Sequence, residues 1–167
     1  MEKPEEDVKK TVKKTVGGFQ TDAGGLALAL NDVKLMTTET ASSWNTRLSQ
    51  IARMKGKVII CTYSLPNLEY MEKIFDKRSW DVVLIANDKP KDNEWKVQEL
   101  QERYSDLEIY LRPDIHAKIV LIEPKTVWLS SANFGRSGWF ENTIGIHDKE
   151  AYDFYYKQIS KYMGFEV

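Results

Sequence analysis

Residues 116–146 read HAKIVLIEPKTVWLSSANFGRSGWFENTIGI. His116 and Lys118 stand two positions apart at the head of an apolar run, Ile119-Val120-Leu121-Ile122. Alternate side chains of a strand share a face, so the imidazole and the ammonium project together. Burying such a pair unpartnered is costly, so the two call for an anion, from the protein or from a ligand. A second β-prone stretch, residues 127–131, leads into small polar groups: Ser130, Ser131 and Asn133. Folded as a hairpin, the two stretches would assemble a nucleophile or base, a cation and neutral hydrogen-bond donors. Such a set suits a phosphate oxyanion.

Outward from this stretch, the chain alternates between two periods. Residues 57–63 (KVIICTY) form a β-branched run, and residues 80–86 (WDVVLIA) read as a second strand, both as expected of strands buried on both faces. Residues 107–111, 117–122, 127–131 and 142–147 are further strand candidates. Leu26, Leu28 and Leu30 alternate with small residues in a strand pattern, and Asn31-Asp32 is placed to turn into residues 33–36. Helical spacing links Trp44, Leu48 and Ile51. It also links Leu68, Met71, Ile74 and Phe75, with Pro66 in the first turn. Val97, Leu100 and Tyr104 mark another helix. A tail stripe of Tyr152, Tyr155, Ile159 and Tyr162 reads as packing. The predicted fold is α/β, a mixed, largely buried β-sheet sandwiched by helices.

Length and composition set bounds. The 167 residues suit one domain, and 42% apolar content suffices for an ordinary core. Residues 1–24 are charged and then Gly-rich, and read as an arm before a domain over residues 25–167. No apolar run approaches the roughly 20 residues of a membrane span. The opening MEKPEEDVKKTVKK lacks the apolar centre of a secretory signal, so a cytoplasmic setting is expected. Cys61 is the single cysteine and lies in an apolar stretch, as a small buried side chain would. The net charge of −1 argues against non-specific coating of nucleic acid but allows a local basic groove. Lys55 with Lys57, and Lys77 with Arg78, have acids nearby and read as solvated mixed-charge surface.

The spacing in the quoted stretch carries a family resemblance. It resembles the HKD motif of the phospholipase D superfamily: HxK, four residues, Asp, six residues, GSxN. Here His116-Ala117-Lys118 is followed by four residues and Glu123, and six more lead to Ser130-Ser131-Ala132-Asn133. Glu123 stands where the family has Asp, and Ser130 where it has the first Gly. Glu141-Asn142-Thr143-Ile144-Gly145-Ile146 is similar to the Glu-Asn element before a final strand in the superfamily's small bacterial nucleases.

The resemblance implies a metal-independent phosphodiesterase without cofactors. His116 would be the nucleophile and form a phosphohistidine. Lys118 and Asn133 would hold the non-bridging oxygens, with Ser131 as a helper, and Glu141 would hydrogen-bond His116 and set its tautomer. Glu123 and Ser130 are supporting positions. The mechanism needs two histidines, yet the chain has one complete motif. His147-Asp148-Lys149 repeats the HxK spacing but lacks the SxN that should follow, so His147 reads as a strand-end or turn histidine. A homodimer with a composite active site is therefore expected, an isologous contact. The implied substrate is nucleic acid, DNA before RNA, cut by an endonuclease-like enzyme, with no membrane partner. A phospholipase is a second enzyme reading. A catalytically inactive module binding nucleic acid or a protein partner is a reading from another class.

Overall fold

The computed structural model describes residues 28, 30–38, 44 and 48–164. The arm expected over residues 1–24 lies outside them, as does Leu26. In chain order the elements are β1 (Val33–Thr38), α1 (Leu48–Ile51), β2 (Val58–Thr62), α2 (Leu68–Arg78), β3 (Val82–Asn87), α3 (Asn93–Arg103), β4 (Glu108–Arg112), β5 (Ile119–Ile122), β6 (Thr126–Ser130), β7 (Glu141–His147) and α4 (Lys149–Ser160). The strands make one sheet in the order β1-β7-β6-β5-β2-β3-β4. β2, β3 and β4 run parallel. The remaining neighbours are antiparallel, so the sheet is mixed, as expected.

Every residue of β2 and β3 is buried, because helices cover both faces. Val58, Ile60, Leu84 and Ala86 join Met71, Ile74 and Phe75 of α2 and Leu100 of α3 in one core. Ile59, Cys61, Val83 and Ile85 join Ala151, Tyr152 and Ile159 of α4 in the other. The tail stripe is thus packing for its inward-facing members. Each large apolar side chain so buried stabilises the fold by about 1.5–3 kcal/mol. Burial pushes the Cys61 thiol up to about 12, which leaves it inert near neutrality.

Several local expectations shift. Leu28 and Leu30 carry no strand, yet both pack partly buried against the second core. Their alternation reports burial, which needs no ladder partner. Pro66 precedes α2 rather than opening it: Asn67 is the N-cap, its side chain accepting from Tyr70 N at 3.2 Å. Trp80 lies outside β3 in a 3-10 turn and is 66% exposed. Trp44 and Ile51 are buried, but α1 is confined to Leu48–Ile51 and residues 45–47 lie outside the described residues. Arg78 is not a surface cation. It is buried, donates to the carbonyls of Ile51 (2.8 Å), Met54 and Gly56, and pairs with Asp81. A buried guanidinium is tolerated here because its donors are taken.

Two glycines are required by close approach. Gly145 sits opposite Trp128 in the β6–β7 pair, and a Cβ there would come within 2.2 Å of the buried indole. Gly56, at φ +100°, lets the loop before β2 pass the turn at Glu123, whose carbonyl a Cβ would meet at 2.6 Å.

The sheet also fixes where chemistry gathers. β5 is antiparallel to β2, β6 to β5 and β7 to β6. The C-terminal ends of β2 and β6 therefore meet the N-terminal ends of β5 and β7 at one end of the sheet. Crevices beyond the carboxyl ends of parallel strands are the usual ligand sites of open α/β sheets.

Candidate active site

β5 begins at Ile119, paired with Cys61 near the end of β2. His116 and Lys118 thus lie just ahead of the strand in which they were expected. Pairing still reaches Lys118, whose carbonyl accepts from Ser130 N at 2.9 Å. The two side chains do project together. Lys118 Nζ is 3.0 Å from His116 Nδ1 and 3.4 Å from Nε2, and donates to the His116 carbonyl at 2.8 Å. The imidazole is exposed, and the Tyr63 ring beside it has its centroid 4.9 Å away. Burial lowers the Lys118 pKa from its ordinary value, and the Glu141 charge acts in the opposite sense.

Asn133 is fixed from beneath by the buried Thr62. Thr62 Oγ1 accepts from Phe134 N at 2.9 Å, donates to Ser64 O at 3.1 Å and lies 3.5 Å from Asn133 Oδ1. The Asn133 amide carries two N–H donors that a ligand oxygen can take. Ser131 donates its hydroxyl to Glu141 Oε2 and accepts from Asn142 N at 3.0 Å. Ser137 Oγ donates to Glu141 Oε1 at 2.9 Å.

Lys118, Ser131, Asn133 and Glu141 are brought together on one cleft of about 720 Å³, together with Arg136 and Trp139. His116 opens instead on a smaller pocket of about 240 Å³ beside Tyr155 and Tyr162. Lys118 is the side chain that links the two.

Three residues singled out from the sequence sit elsewhere or do something else. Glu141 does not meet His116: both its oxygens take serine hydroxyls, and no hydrogen bond joins the two among the described residues. Glu123 is in the β5–β6 turn, at the end of β5 away from the site. Its Oε2 accepts from Lys57 N at 3.1 Å while its own N donates to Lys57 O at 3.0 Å, which fastens the turn to the start of β2. A strand rises about 3.3 Å per residue, so this carboxylate is many ångströms from Lys118. Ser130 is structural too, donating to Asn142 O at 3.2 Å, lying 2.8 Å from Thr143 Oγ1 and accepting from Ala132 N at 3.1 Å. His147 ends β7 with Nδ1 3.5 Å from Asp32 Oδ2, and Lys149 turns to Asp153 at 2.6 Å.

Other contributors were not found in the sequence. Asn93, fully buried, accepts from Leu65 N at 2.9 Å and donates to the Tyr63 and Asn87 carbonyls at 3.0 and 2.7 Å. It shapes the β2–α2 loop that walls the cleft. Only a folded chain shows a buried amide 28 residues from its partner. Arg136 and Trp139 were within the quoted stretch, and the signal was their place between Asn133 and Glu141. Among the described residues no group of three or more His, Cys, Asp or Glu side chains is placed to hold a metal ion. No described helix is long and apolar enough to cross a membrane.

Comparison with known proteins agrees with this fold. Residues 48–163 match the family described as "Cardiolipin synthase, PLD-like domain". The fold is similar to that of Nuc from Salmonella typhimurium, a phospholipase D family member, at 15% identity and a TM-score of 0.63, covering 80% of this chain and 95% of that one. NucT from Helicobacter pylori is similar at 19% identity and a TM-score of 0.61, covering 80% and 97%. Polyphosphate kinase from Porphyromonas gingivalis is similar at 15% identity and a TM-score of 0.66, covering 81% of this chain but 26% of that one. No curated protein sequence matches significantly.

Proposed function

The chain belongs to the phospholipase D superfamily through its PLD-like domain, and from that membership we propose that it is a metal-independent nuclease acting through His116. The observation that carries this reading is the contact of His116 with Lys118, which itself lines a cleft that also presents Asn133, Ser131 and Arg136. The fold alone does not select a substrate, since a polyphosphate kinase is built on a similar one.

The chemistry follows from those groups. A phosphodiester oxygen draws the Lys118 ammonium off the imidazole and takes a second donor from Asn133, so the phosphate settles beside His116. An imidazole nitrogen attacks phosphorus: a P–N bond forms, the bond from phosphorus to the leaving oxygen breaks, and that oxygen takes a proton from a second imidazolium. Water then attacks the phosphohistidine, gives its proton to the second imidazole, and the P–N bond breaks. Dividing the displacement in two lowers each barrier, and the fixed cations supply the charge stabilisation that a metal supplies elsewhere. The second imidazole comes from another copy of the chain, in a two-fold dimer with a composite site. Glu141 holds Ser131 and the loop after Asn133 in place rather than contacting His116.

The test is cleavage of single- and double-stranded DNA and of RNA in EDTA, native chain against His116→Ala. Native cleavage abolished by the substitution supports the proposal; EDTA-sensitive cleavage, or cleavage that survives His116→Ala, overturns it. One observation favours a second reading, a non-catalytic binding module: no carboxylate contacts His116 among the described residues. Binding of nucleic acid with no cleavage by the native chain would select that reading.

A further inference from the structure

Trp139 lines the same cleft as Lys118 and Asn133, yet it is 80% exposed. The loop that carries it is tethered: Trp139 N donates to Ser137 Oγ at 3.3 Å, and Ser137 donates on to Glu141. Arg136, also exposed, lines the cleft with it. Leu65 and Asn67 form another part of the wall. The Leu65 carbonyl accepts from Lys96 Nζ at 3.0 Å, and that ammonium stands 5.7 Å from the ring centroid of Trp95, which is 50% exposed. The cleft thus has one solvent-facing indole, Trp139, on its wall together with Arg136, and a second, Trp95, beside a lysine that bonds to the wall at Leu65.

Such a pairing of rings with phosphate-binding groups has a specific meaning. A duplex keeps the faces of its bases stacked on one another and offers only edges and backbone. An indole face near a phosphate site can be used by a base that is unpaired and splayed out. A phospholipid headgroup shares the phosphate but brings no aromatic ring to stack. We infer that Trp139, with Trp95 as a second platform, stacks unpaired bases flanking the phosphate held by Lys118, making single-stranded nucleic acid the substrate class. This rests on the nuclease reading above and narrows it.

The test uses the His116→Ala chain, so that ligand is bound and not cut, in EDTA. Fluorescence anisotropy compares a labelled oligothymidylate, an abasic strand with the same number of phosphates, a blunt duplex, and vesicles of anionic phospholipid. The expected result is binding of oligothymidylate about tenfold or more tighter than the abasic strand, the scale of stacking one or two bases. Adding Trp139→Ala removes most of that difference and leaves abasic binding in place, while Trp139→Phe retains it. Equal affinity for base-bearing and abasic strands overturns the inference, as does tighter binding of duplex. Loss of vesicle binding but not of oligothymidylate binding on Trp139→Ala also overturns it and points to a lipid surface. Base-dependent binding without cleavage by the native chain sinks the nuclease reading and leaves the platform standing.

Discussion

Lys118 Nζ lies 3.0 Å from His116 Nδ1 and also donates to the His116 carbonyl. The ammonium therefore sits against the ring, and a phosphate that draws it away frees the imidazole beside the reacting phosphorus. Lys118 also makes no ion pair within 4.0 Å among the described residues, so a phosphate oxygen has no carboxylate to displace. Lys118→Ala is expected to lower kcat on a small phosphodiester by about 10²–10³, the scale of losing one oxyanion donor. Steady-state kinetics check it, with circular dichroism to show the fold intact.

The lowered Lys118 pKa is expected to set the alkaline limit of activity. Its proton leaves at a pH below the ordinary lysine value of 10.5, and with it goes the charge that holds phosphate. Activity should therefore fall on the alkaline side earlier than an ordinary lysine would dictate. The unfolded chain keeps this proton longer than the folded one, so the same group adds stability as pH rises through that window. Glu141 raises the Lys118 pKa; Glu141→Gln should shift the alkaline limb of the kcat/KM profile to still lower pH. An unmoved limb would show that another group sets it.

Glu123 illustrates a motif position whose work is structural. Removing the carboxylate that accepts from Lys57 N should cost about 0.5–1.5 kcal/mol, the net worth of a typical hydrogen bond. Urea unfolding of Glu123→Ala should show a lower midpoint with an unchanged slope, while cleavage measured well below the transition matches the native chain. A large loss of activity in a well-folded variant would contradict the placement of Glu123 outside the site.

The composite site makes a quantitative prediction about mixtures. If each active centre needs His116 from two chains, then native chain exchanged with His116→Ala loses activity as the square of its own fraction. A linear loss, measured after subunit exchange at constant total protein, would show that each chain works alone.

Much of this was legible from residues alone, for identifiable reasons. The run from Val58 to Thr62 announced a strand buried on both faces because every side chain in it is apolar or small. The interval from His116 to Asn133 survives folding because β5 and β6 form a short hairpin, which carries Ser130 N to the Lys118 carbonyl. What sequence could not give are contacts that depend on distant strands. Thr62 beneath Asn133 is 71 residues away, and Asn93 beneath the β2–α2 loop is 28 residues from Leu65. Arg78 looked like a surface cation because charge patterning carries no sign of the carbonyls at Ile51, Met54 and Gly56 that bury it. Glu141 was expected to hydrogen-bond His116, but it lies on the cleft with Lys118 and the serines at 131 and 137 claim its oxygens, in an orientation decided by the loop between them.

The most direct measurement is a search for the covalent intermediate. Native chain mixed with an oligonucleotide is quenched in alkali, where a phosphoramidate persists, and its peptides are weighed. The account predicts a nucleotidyl adduct on the peptide containing His116, lost on brief acid treatment and absent from His116→Ala. Turnover with no adduct at His116, or an adduct on another residue, would contradict it.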